Sequence, residues 1–264
     1  MTTAEHVAPR SVGELLRSWR ERRRLSQMDL ALDAEISTRH LSFVETGRSA
    51  PSRDMVLRLA DQLDVPLRER NQLLLAGGYA PVYSQATLDA HEMAEVRAAV
   101  RQVLTGHEPY PAAAVDRHWN LVEANSGIAL MTADVEAQLL EPLPNAMRLA
   151  LHPGGLAPRI ANLGEWRVHL LTRLRRQVAL TADPVLADLL DEVRAYPFDA
   201  DEPDVEIPAA GEVFVPLRLR HGDAELAFFS TVTTFGTPLD VTVAELAIES
   251  FFPADAATSA ALRG

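Results

Sequence analysis

Thr38, Arg39 and Ser42 carry groups that hydrogen-bond the edges of bases, and they fall near the start of a short segment with helical spacing. An arginine held there can meet a guanine with two parallel N–H···acceptor bonds, worth roughly 1–3 kcal/mol of discrimination against the wrong base. Gln27, Ser37, Arg48 and Arg53 lie at neighbouring helix starts or in the following loop, where donors suit phosphate oxygens. Other chemistries find little footing. The chain has no cysteine, which rules out a disulfide framework, a thiol nucleophile and thiolate-bound zinc. No Gly-x-Ser-x-Gly elbow and no Gly-Lys-Ser/Thr phosphate loop occurs. His91 and Glu95 lie four apart with Glu92 adjacent, which offers two metal ligands but no evident third, and a solvated helix face explains them more simply. His118, His152, His169 and His221 show no metal-binding spacing. The expectation is a chain that is not an enzyme, with no catalytic residue, no metal site and no cofactor.

The elements that must position Thr38, Arg39 and Ser42 are legible around them. Val12, Leu15, Leu16 and Trp19 mark one face of a first helix. Ser26 with Asp29 three residues on reads as a capping-box start for a second helix, burying Leu30, Ala31 and Ala34. A short turn at Glu35-Ile36 leads to Ser37, the N-cap of a third helix from Thr38 to Thr46 that buries Leu41 and Val44 and stops at Gly47. Ser52 caps a fourth helix, and a fifth runs from about Leu67 to Leu75. Two short helices at a fixed angle are what a side chain needs to enter the major groove while the first helix braces it against the backbone. A plain five-helix bundle serving protein contacts is the alternative. Arg22–Arg24 suit phosphate contact and a solvated face equally.

Net charge sharpens this reading. The chain carries −12 overall, and all 25 basic residues are arginine. Residues 1–75 hold 12 Arg against 11 acids, whereas the remainder holds 13 Arg against 26. The acid is thus concentrated away from the proposed groove reader.

The segment from Leu25 to Pro51 resembles the Xre-type family of phage-repressor-like helix-turn-helix domains. The resemblance is carried by Ser26-Gln27, Leu30-Ala31, Ile36-Ser37, Leu41, Val44-Glu45, Gly47-Arg48 and Pro51. It implies double-stranded DNA as a partner. One residue departs from the pattern: Glu35 stands where that family usually has glycine, so a left-handed turn there would cost up to about 1 kcal/mol.

Beyond Gly77-Gly78-Tyr79-Ala80-Pro81 the pattern changes. A helix is expected from about Leu88 to Thr105, with Val96, Val100, Val103 and Leu104 facing either the second domain or a partner chain. Ala112–Asp116 and Trp119–Glu123 read as a short hairpin. A long helix follows over Asn162–Ala179, and Asp183-Pro184 starts another. Val213, Val215, Leu217 and Leu219 alternate as a strand, His221-Gly222-Asp223 turns, and Glu225–Phe235 returns. Val241–Phe252 reads as a closing helix. Residues alone give a mixed α/β domain with an apolar interior.

From about Leu75 to Leu262 the chain resembles the MmyB-like ligand-binding module of actinobacterial regulators, which has a PAS-related fold. The matching stretches include His107-Glu108-Pro109-Tyr110-Pro111, Asp116-Arg117-His118-Trp119, Leu151-His152-Pro153, Val215-Pro216-Leu217-Arg218 and Phe235-Gly236-Thr237-Pro238. The resemblance implies a pocket for a fatty acid or another apolar small molecule. Trp119, Trp166, Phe228, Phe229 and Phe235 are candidates to line it, with His152 or Arg159 meeting a carboxylate. Ordinary core packing is the competing role for every one of those aromatics.

The expected fold class is therefore α+β: an all-α helix-turn-helix domain of five helices (residues 10–76), a linker with a connecting helix (77–106), and a PAS-like mixed α/β ligand-binding domain (107–264). The expected function is a sequence-specific DNA-binding transcription regulator, acting as a homodimer in the cytoplasm under a small-molecule effector and without a membrane span. Two alternatives give the C-terminal part only dimerisation or partner recruitment, or make the chain an antitoxin-type regulator.

Overall fold

The computed structural model describes residues 10–198 and 214–263. Val213 of the expected strand lies outside the described residues. The chain divides into two compact units, Met1–Gln85 with Leu239–Val241, and Ala86–Pro238 with Thr242–Gly264.

Among its described residues the first unit holds five helices: α1 (Val12–Arg22), α2 (Gln27–Asp33), α3 (Thr38–Glu45), α4 (Arg53–Gln62) and α5 (Leu67–Ala76). Their starts are set by side-chain caps. Ser11 with Glu14, and Ser26 with Asp29, form reciprocal capping boxes. Ser37 and Ser52 accept from His40 N and Met55 N. Gly47 takes φ +72° just beyond α3, the left-handed conformation that ends a helix. Leu16, Trp19, Leu30, Leu41, Leu59 and Leu74 meet in one buried core. Gly13 lets α1 approach α3 closely, since a Cβ there would lie 2.3 Å from the Val44 carbonyl oxygen.

The turn between α2 and α3 is held by Ile36 N, which donates to Ala31 O at 2.9 Å. Glu35 sits within it at φ 54°, so the glycine position is indeed left-handed and the glutamate is strained. Glu35→Gly is expected to raise the unit's stability by about 0.5–1 kcal/mol, the relieved strain less the chain entropy that glycine adds. Urea unfolding checks this; a loss of stability would contradict it.

The second unit is built on a five-stranded, wholly antiparallel sheet of order β2-β1-β5-β4-β3. A 3-10 turn at His91–Met93 leads into α6 (Ala94–Gly106), so the connecting helix begins later than its apolar spacing suggested. Then come β1 (Ala112–Val115), β2 (Leu121–Ala124), α7 (Ala129–Thr132), α8 (Ala137–Leu140), α9 (Ala146–Leu151), α10 (Leu163–Thr181) and α11 (Pro184–Arg194). The chain closes with β3 (Leu217–His221), β4 (Ala224–Thr234), α12 (Val241–Ala244), β5 (Ala247–Pro253) and α13 (Ala256–Arg263).

Period-2 geometry sorts the central strands between two layers. Ala112 and Ala114 of β1, with Ile248 of β5, pack against Val100 and Leu104 of α6. Val115 joins the larger core with residues of α9, α10, α11, β3 and β4. Val100 and Leu104 therefore face their own sheet, while Val103 remains partly exposed.

One element corrects the sequence reading. Val241–Phe252 is a single helical turn followed by β5, the middle strand of the sheet, and not a closing helix. A strand covered on both faces loses the polar alternation that marks a half-exposed strand. Here Ile248, Glu249 and Ser250 are all buried, and the pattern imitates a helix.

Asp183 caps α11, accepting from Val185 N at 2.9 Å, and its other oxygen meets Arg117 and lies 3.0 Å from His118 Nε2. Burial pushes its carboxyl up, but the hydrogen bonds to His118 and Val185 and the Arg117 charge outweigh it and hold it below the ordinary range. A depressed carboxyl contributes stability that is present above its unfolded value, near ~4, and is lost as pH falls through the lower folded value. Asp183→Asn should flatten the acid limb of melting temperature against pH; an unchanged limb would contradict this.

Candidate nucleic-acid interface and ligand cavity

The helix-turn-helix geometry begins with a buried ion pair. Glu45, at the end of α3, receives Arg20 of α1 through Nε at 2.7 Å and Nη2 at 2.9 Å. Arg20 also donates to the Leu25 carbonyl at 2.9 Å, and Gln27 Nε2 donates to Glu45 Oε2 at 2.8 Å. The bond to Glu45 raises the already high arginine value further. Three helices are thereby fixed around one carboxylate. Gln27 is placed at the start of α2 with part of its donor capacity already spent inward. Arg23 likewise turns inward, to Leu63 O and Asp64 O, and Arg22 lies over the Trp19 ring at 4.5 Å.

With Leu41 and Val44 buried, α3 turns Thr38, Arg39 and Ser42 outward on one side. Among the described residues none of these three side chains makes a hydrogen bond or ion pair to the protein. Arg39 is steered only by the Phe43 ring, 5.4 Å from its guanidinium carbon, and Arg48 approaches the same ring at 6.0 Å. Arg48 and Arg53 are exposed, and Ser37 is exposed while serving as cap. Of the seven residues expected to contact DNA, Thr38, Arg39 and Ser42 lie on α3, Ser37 caps it and Arg48 lies in the loop that follows, while Gln27 starts α2 and Arg53 starts α4.

The second unit contains a cavity of about 90 Å3 between the sheet and the helices. Val115, Met131, Met147, Leu170 and Phe251 contribute to an almost wholly apolar wall. Trp119 and Trp166 line it. The other candidates do not. Phe228 is fully buried in the main core, Phe229 stacks on Phe252 at 5.2 Å, and Phe235 packs beside α6. His152 stands edge-on to Tyr196 and accepts from Gly154 N through Nδ1. Arg159 donates to backbone carbonyls of Ala133 and Arg220. Phe228 fills the same core without reaching the cavity, and the other four side chains are taken up by ring packing or by backbone hydrogen bonds nearby.

Sequence reasoning missed the polar group that does reach the cavity. Glu249 of β5 lines it, lying opposite Ala113 of β1, and receives Arg173 of α10 at 2.8 Å. Arg173 lies over the Trp119 ring at 4.3 Å, and Trp119 Nε1 donates to Gln177 at 2.8 Å. Only recognition of β5 as a strand could have found Glu249, because that fixes which of its residues face the helices. Among the described residues no group of three His, Asp or Glu side chains gathers to hold a metal ion, and no helix is long and apolar enough to cross a membrane.

A helix-turn-helix unit and a mixed α/β unit with an apolar cavity are the architecture of a DNA-binding transcription regulator with a ligand-binding domain. Sequence comparison agrees: a helix-turn-helix domain model matches residues 11–73. The model described as the MmyB-like transcription regulator ligand binding domain matches residues 96–264, more than half of the chain, and the chain belongs to that family. No curated protein matches it. Among solved structures, one titled "Structure of an RNA-binding Light-Oxygen-Voltage Receptor" aligns at 13% identity and a TM-score of 0.25, over 96% of this chain and 62% of that one. The chain thus spans less than two thirds of that structure, and so weak a likeness carries no argument.

Proposed function

We propose that the chain binds a specific operator as a homodimer through α3, and that a small apolar molecule in the cavity modulates this binding. The observation that supports groove reading is the outward row of Thr38, Arg39 and Ser42, free of polar partners among the described residues. A single helix-turn-helix reads few base pairs, so two copies on a two-fold related site are the expected mode. The cavity's wall suits an acyl chain or another apolar body. A ligand shifts DNA affinity only by its differential affinity for the binding-competent form.

Selection from randomised duplexes tests the readout. Arg39→Ala should weaken operator binding by roughly 1–3 kcal/mol and relax the preference at one guanine. Unchanged affinity and sequence preference would remove Arg39 from the readout. Arg53→Ala should weaken all duplexes alike and reduce the slope of log affinity against log salt by about 1. An unaltered slope would remove Arg53 from the phosphate contacts.

A further inference from the structure

The apolar cavity has one carboxylate in its wall, and that carboxylate is half-satisfied. Glu249 is 8% exposed, in the middle strand of the sheet. Its Oε1 receives Arg173 at 2.8 Å. Its Oε2 takes no hydrogen bond from the described residues, yet it is not sealed from solvent, because no fully enclosed side-chain polar atom there lacks a partner. An ionised carboxylate only accepts, so Oε2 has room for a donor that the described residues do not supply. The cavity's occupant is placed to supply that donor.

The same geometry disfavours the opposite head group. Arg173 stands behind Glu249, committed to its Oε1 and to the Trp119 face, and is not part of the cavity wall. A carboxylate entering the cavity would therefore meet a like charge first. His152 and Arg159, the residues expected to receive a carboxylate, lie elsewhere.

We propose that the cavity selects an apolar molecule headed by a hydrogen-bond donor, a hydroxyl or an amino group held by Glu249, over one headed by a free carboxylate. This rests on the reading of the cavity as a ligand site. Size constrains the body of the ligand. The space of about 90 Å3 is smaller than the ~150 Å3 cavity known to admit benzene. Longer chains must displace wall side chains, and the unbranched Met131 and Met147 can give way.

The test uses the full chain with three probes of equal length, 1-octanol, octylamine and octanoate, followed by calorimetry and by tryptophan fluorescence, since Trp119 and Trp166 line the cavity. Octanol and octylamine should bind about tenfold or more tightly than octanoate, the range set by one charge-assisted hydrogen bond. In Glu249→Gln the like charge that faces a carboxylate is gone, and the preference for octanol and octylamine over octanoate should disappear. The double variant Arg173→Met/Glu249→Met removes both charges together, a replacement that folded proteins tolerate, and should bind octanol and octanoate alike. Octanoate binding the unaltered chain as tightly as octanol would overturn the head-group assignment and leave the cavity as a ligand site. Failure of all three probes would overturn both.

Discussion

Glu45→Ala lowers the stability of the N-terminal unit by about 3–5 kcal/mol, the cost of leaving one member of a buried ion pair uncompensated. The side chains of Glu45 and Arg20 are 1% and 10% exposed, so water cannot take over the role of the missing carboxylate. Three inward donors lose their acceptor at once: Nε and Nη2 of Arg20, and the Gln27 amide. Because these tie α1 and α2 to the end of α3, operator affinity should fall with stability even though the Glu45 side chain is buried. Urea unfolding followed through Trp19 measures the loss. Arg20→Met/Glu45→Leu should recover most of it, since the desolvation cost of both charges disappears with them. A loss below about 1 kcal/mol for Glu45→Ala would show the pair behaving as an exposed one.

Trp119→Ala is the counterpart in the second unit, expected to cost about 3–5 kcal/mol, as for other large-to-alanine changes in a core. Trp119 is 6% exposed and lines the cavity. Its indole N–H donates to Gln177, and its ring carries Arg173, which holds Glu249. Trp119 also adopts φ 70°, and alanine keeps the Cβ that makes this conformation unfavourable, so the substitution relieves none of that strain. The enlarged cavity should admit longer apolar ligands, and saturating ligand should restore part of the lost stability by mass action. Thermal unfolding with and without 1-octanol reads both effects. An unchanged melting temperature would show that Trp119 does not support the cavity wall.

The helical unit was legible because its signals are local. Ser26 with Asp29, Ser37, Ser52 and Gly47 fix where α2, α3 and α4 start and where α3 ends, and the apolar spacing then decides which side faces out. Thr38, Arg39 and Ser42 follow from that spacing. Even the strain at Glu35 could be read from a single position in the turn. The cavity was legible only in part, because its wall is assembled from residues far apart in sequence. Trp119 and Trp166 were reached by residue type alone, which cannot separate cavity wall from core. The same criterion also selected Phe228, Phe229 and Phe235, none of which lines the cavity. Glu249 was hidden for a different reason: it sits in a strand buried on both faces, whose pattern resembles a helix. Its partner Arg173 lies 76 residues away.

The central claim is that a molecule in the cavity alters operator binding. The direct measurement is operator affinity at fixed salt for the chain as purified, for the chain stripped of small molecules, and for the stripped chain reloaded with the extracted fraction. A shift of about fivefold or more is expected on stripping, within the ordinary range of coupling free energies, and it should reverse on reloading. Equal operator affinity in all three states, with the cavity shown to be occupied in the first and empty in the second, would contradict it.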